Sequence, residues 1–153
     1  MNSLKLGFVL FALAFLPALR ASEKTDSMVG NWEGNARVIV QWCEQSDLLV
    51  SIEIAADGKV TGKVGDAELI DGQLKKKTNW FGGKNDERTT HVIRAGLKGA
   101  ILDAEGVSRE EIFIHVRLDG SLLCGSLATS GAKVGGKESM ALTATPLRLS
   151  KVD

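Results

Sequence analysis

The imidazoles and thiols of this 153-residue chain, the first side chains to weigh for nucleophilic or acid–base chemistry, are His91, His115, Cys43 and Cys124. A thiolate beside an imidazole is an activated nucleophile, and two thiols in an oxidising compartment form a disulfide. The histidines lie far apart in sequence, and no His or Cys stands at metal-ligand spacing, so no metal site is expected. Gly131-Ala132-Lys133-Val134-Gly135-Gly136-Lys137 matches the first seven positions of a phosphate-binding loop. The eighth position should be a hydroxyl residue that holds magnesium, and here it is Glu138, whose charge repels phosphate. The segment also precedes a strand rather than a helix, so it reads as a Gly-rich hairpin. Asp66, Glu68 and Asp71 cluster, as do Asp103, Glu105, Glu110 and Glu111. Paired carboxylates serve glycoside hydrolysis or calcium binding, but acidic runs in loops are ordinarily solvated. With no Gly-x-Ser-x-Gly elbow either, the chain reads as non-catalytic and without a cofactor.

The elements that must position these groups come from two Asp-Gly turns. Ser51 to Val60 and Ile112 to Leu122 are each an alternating apolar run, then Asp-Gly, then a second apolar run, which is the hairpin signature. In the first, a three-residue loop Ala56-Asp57-Gly58 pairs Ile54 with Val60, Ile52 with Gly62 and Val50 with Val64. That register keeps one face apolar, whereas a two-residue loop sets Ile54 against Thr61. Gly58 then takes the left-handed conformation. The same rule makes Leu118-Asp119-Gly120 the second loop, pairing Val116 with Leu122 and Ile114 with Cys124. Cys124 is thereby expected on the inner face and His115 on the outer, which separates the thiol from the imidazole.

Further alternation marks strands from Trp32 to Trp42, Leu48 to Ile54, Ala67 to Leu74 with a break at Gly72, and Arg88 to Leu97. Together with Ala100 to Ala104 the last of these makes either two short strands or one longer strand bent at Gly96 and Gly99. Glu138 to Leu149 reads as the last, with Pro146 predicting an edge or an end. No convincing helix appears. Eight or nine short antiparallel strands with Gly-rich turns define an all-β domain, either an up-and-down β-barrel or a β-sandwich.

Residues 1–21 read as a secretory signal peptide: Lys5, then the apolar run Phe8 to Leu16, then Ala18 or Ala21 as the small residue before cleavage. The run is short of the roughly 20 residues a membrane helix needs, so no transmembrane span is expected in the mature form. Residues 22–27 form a polar linker and 28–153 a single domain. The expected location is exported, periplasmic or secreted. Removing Lys5 and Arg20 from the 19 basic residues leaves 17 against 19 acidic ones, a net charge near −2. Nucleic acid, which demands a basic face, is therefore not an expected partner. Cys43 and Cys124 are candidates for a disulfide or for two buried thiols. Closing that loop stabilises by on the order of 4 kcal/mol in the chain-entropy treatment.

Gly30-Asn31-Trp32 resembles the Gly-x-Trp start of lipocalin and avidin-type (calycin) barrels. The resemblance implies a basic residue of the last strand packed over Trp32, and Arg148 is the candidate. It also implies a cavity for a small apolar ligand, lined or filled by Val38, Val40, Ile52, Ile54, Val116 and Leu122. Otherwise the chain resembles uncharacterised exported bacterial proteins. The expected function is a non-catalytic binding module holding a small apolar ligand. The alternative is a structural or interaction protein of the envelope. It would act through the basic-aromatic segment Lys75 to Asn85, whose Trp80, Phe81 and Lys84 suit an anionic lipid surface or acidic protein partner. Trp32 and Trp42 complete the candidate binding residues.

Overall fold

The computed structural model describes residues 27–40, 46–77, 91–101, 107–133 and 139–153. Eight strands follow one another in it: β1 Gly30–Val38, β2 Asp47–Ile54, β3 Lys59–Val64, β4 Ala67–Lys76, β5 His91–Lys98, β6 Val107–Asp119, β7 Leu122–Lys133 and β8 Ser139–Val152. Each pairs antiparallel with the next, and β8 returns to β1, so the sheet closes into an up-and-down barrel. Closure removes both edges and satisfies the backbone without a covering layer.

Period-two alternation decides which side chains enter. Along β2, Leu48, Val50, Ile52 and Ile54 are buried and the residues between them exposed. Trp32, Ala36 and Val38 of β1, Ile112, Ile114 and Val116 of β6, and Leu147 and Leu149 of β8 complete one continuous core. Large residues face small ones across the ladders: Ile112 lies opposite Ala95, Leu127 opposite Ala144 and Val116 opposite Gly125. That alternation is how a narrow barrel fills its interior. Ile101, buried beyond β5, lies against the β3–β4 turn and closes one end with Leu48.

The first hairpin has the expected register, with Ile54 opposite Val60, Ile52 opposite Gly62 and Val50 opposite Val64. Gly58 has φ +82, and Asp57 Oδ1 accepts from the Lys59 amide at 3.0 Å. The second hairpin does not follow the rule. Asp119 pairs with Leu122, so the loop is the two residues Gly120-Ser121. Gly120 is the first of them, with φ +62, as a II′ turn requires. Ile114 therefore faces Leu127, and Cys124 faces Arg117 on the outer surface. Leu122 is 37% exposed and does not line the interior. The physical reason is the larger apolar pair: Leu123 and Leu127 share one parity, and burying both outweighs burying Leu122 and Cys124.

Two further expectations change. Pro146 sits at no edge; β8 is paired on both sides, and its register shifts beside Pro146 against both β1 and β7. A bulge is the other place a sheet accepts proline. Ala100 and Ile101 lie outside any strand, and the rest of the expected strand to Ala104 is outside the described residues. β4 runs through Gly72 without ending, with a bulge at Asp71, whose φ is +52.

Candidate functional site

Topology assigns every connection to one of two barrel ends. The β2–β3, β4–β5 and β6–β7 connections share the end where β1 begins, here the lower end. The other four share the upper end with Ile101. Trp32 plugs the lower end. It is 1% exposed, its Nε1 donates to the Met28 carbonyl at 2.8 Å, and Met28 is itself buried. A basic residue of β8 does lie over this ring, but it is Lys151, with Nζ 5.7 Å from the ring centroid. Arg148, the sequence candidate, points out of the barrel and is exposed. β8 puts Leu147 and Leu149 inside, so Arg148 has the wrong parity and Lys151 the right one.

Lys75 and Lys76 end β4 at this same lower end, and Lys77 follows; all three are exposed. Trp80, Phe81 and Lys84 lie outside the described residues, as do Trp42 and Cys43. Lys77 nevertheless leaves a trace on the barrel. Partial burial of His115, and after it the positive charge of Lys77, holds the imidazole below its ordinary value of 6.5.

The two histidines, remote in sequence, are neighbours in space. His91 pairs with Val116 and His115 with Val92 on the adjoining strands β5 and β6. They face opposite sides of the wall: His91 is buried and His115 is half-buried on the outer face. One ion cannot reach both. His115 and Cys124, by contrast, share the outer face, because Ser126 is opposite His115 and Cys124 is opposite Arg117. The parity separation read from the sequence does not hold. They are diagonal neighbours, a relation that sets Cα atoms about 7–8 Å apart, and Cys124 is a half-buried free thiol.

Other sequence candidates separate. Glu68 stands between Lys63 and Lys98 in the ladders, and Asp71 belongs to the bulge. Among the described residues no three His, Cys, Asp or Glu side chains come together as a metal site. Gly131 to Lys133 belong to β7; the remainder of the glycine-rich segment is outside the described residues.

Two features escaped the sequence reading. Arg109 is buried near the upper end, and its Nη1 donates to the Thr129 carbonyl at 3.5 Å. A register shift between Arg109 and Glu111 turns this side chain inward, against the alternation set by Ile112 and Ile114. The second is a groove of about 370 Å³ on the outer wall, lined by Glu33, Asn35, Arg37, Asp47, Arg148 and Ser150 among others. Its residues come from three strands, and only the closing β1–β8 pairing brings them together.

The chain matches no protein-family model, no curated protein and no solved structure.

Proposed function

We propose that the chain is an exported, non-catalytic β-barrel module that recognises an envelope partner or lipid surface through the Lys75 to Asn85 end. One observation carries the reading. Leu48, Ile54, Ile93, Ile112, Ile114, Leu123, Leu127, Leu142 and Leu147 are all under 2% exposed. A void able to admit water would leave accessible surface on its lining side chains. Among the described residues these side chains leave no accessible void between them, which favours recognition at the ends and the outer wall. The three exposed lysines lead into Trp80 and Phe81, an arrangement suited to an anionic surface.

A second reading, a carrier of a small apolar ligand, is favoured by the Lys151 ammonium over the Trp32 ring at the lower end. Native mass spectrometry of the protein from its own compartment separates the two readings. The interaction reading expects the mass of the bare chain. It also expects Trp80→Ala with Phe81→Ala to lower binding to phosphatidylglycerol–phosphatidylcholine vesicles, or to an envelope fraction, at an unchanged melting temperature. A retained apolar molecule, or binding untouched by the double substitution, defeats it.

A further inference from the structure

The outer wall over β8, β1 and β2 is separate from both barrel ends. Glu33, Asn35 and Arg37 alternate along β1 with the buried residues. Arg148 is opposite Asn35, Ser150 opposite Glu33, Leu49 opposite Asn35 and Asp47 opposite Arg37. Most of these residues, with Gly34 and Pro146, line the groove.

Two properties of this wall lack an account among the described residues. First, Leu49 is 72% exposed and Ile39, just past the end of β1, is 55% exposed. They are the two most exposed large hydrophobics among the described residues, and exposed apolar groups rimmed by charge mark interaction surfaces. Second, Arg37 and Arg148 are exposed and make no ion pair among the described residues, whereas Arg94 of β5 and Arg117 of β6 are engaged by Glu111 and Asp119. Guanidinium groups are enriched at protein interfaces, where they meet carboxylates in forked geometry.

The sign pattern selects the occupant. Glu33 and Asp47 line the groove along with the two arginines, so the groove carries two cations and two anions. A polyanion or an anionic membrane would meet both carboxylates unfavourably. A patch that holds both signs beside an exposed leucine is complementary to itself, which is what a two-fold interface requires. Among the described residues Glu33 accepts from Ser51 Oγ at 3.1 Å through one carboxylate oxygen, which leaves acceptor capacity for a guanidinium. Without residues 1–21 the chain carries 17 basic against 19 acidic residues, a net charge near −2, so net repulsion between copies is weak.

We infer that this wall is a homodimer interface. A second copy of the chain seats on it, Leu49 packs near the centre, and the arginines of one copy meet Glu33 of the other. The contact is wall to wall through side chains, because the closed barrel offers no strand edge. It makes no use of Lys75 to Asn85 and stands apart from the function proposed above.

The test is sedimentation equilibrium of the purified protein from about micromolar to about millimolar concentration. A monomer–dimer equilibrium is expected. Leu49→Glu and Arg148→Glu should each weaken it roughly tenfold or more, with circular dichroism unchanged because both side chains are exposed. Ile70→Glu, on the far wall, should leave it unchanged. A monomer throughout that range overturns the inference, and so does a dimer indifferent to both Leu49→Glu and Arg148→Glu.

Discussion

Lys151 and Trp32 form one unit across the β1–β8 seam: they are register partners, and the ammonium lies 5.7 Å from the indole centroid. The ring also carries the weight of the lower end, since its N–H holds the Met28 carbonyl and its faces are buried. Trp32→Ala should therefore cost about 3–5 kcal/mol of unfolding free energy in urea titration. Trp32→Phe keeps the ring but orphans that carbonyl, and about 1–3 kcal/mol is expected. Lys151→Met keeps the stem and loses the charge, for about 0.5–1 kcal/mol at an exposed site. Equal costs for all three substitutions would contradict this division.

Gly125 stands where the wall is tightest. An ideal Cβ there collides with the backbone carbonyl oxygen of His115, a group that cannot rotate away. Gly125→Ala should destabilise by at least about 1–3 kcal/mol. At Gly120 nothing lies within 4 Å, so only its φ of +62 resists a side chain. Gly120→Ala should cost about 1–2 kcal/mol, and Gly120→Asn less. Matched denaturant melts of the three variants decide the order.

These two glycines also show what was legible from the chain and what was not. The strand faces, the barrel alternative and the first hairpin were readable because Ile52, Ile54 and Val60 allow a single apolar register. The second hairpin was not, because β7 carries leucines on both parities and a turn rule cannot weigh Leu122 against Leu123. Arg109 turned inward at a bulge, which leaves no trace in local alternation. The groove needs the β1–β8 closure, the pairing most remote in sequence, to exist at all.

His115 should make stability depend on pH in one direction. Its folded value lies below 6.5, through burial first and Lys77 second. Between that lowered value and 6.5 the unfolded chain binds more protons than the folded one, so stability rises with pH across the window. Acidification should begin to remove stability near pH 6.5, and the loss is complete once the folded imidazole has also charged. The imidazole resonance of His115, followed by NMR, reports this without interference from His91. Lys77→Ala should raise its titration midpoint part of the way back, because burial remains. A midpoint at or above 6.5 in the native chain contradicts the environment described.

Cys124 gives the sharpest test of the second hairpin, because the two registers put it on opposite sides of the wall. Inward, it would react with a thiol reagent only at the rate of global unfolding. Outward, between Arg117 and Arg148 in the ladders and half-buried, it should label in the native protein. Neighbouring guanidiniums favour approach of an anionic reagent. Labelling by Ellman's reagent should therefore outpace labelling by a neutral maleimide by more than in a small free thiol, and the excess should shrink as salt is added. Cys124→Ser should remove the salt-sensitive part of the native signal, and any labelling that persists belongs to Cys43. A thiol count on the unfolded, unreduced chain then reports the pairing of the two cysteines directly. Zero thiols would mean a Cys43–Cys124 bond and would contradict the free thiol, and two would leave both cysteines unbonded.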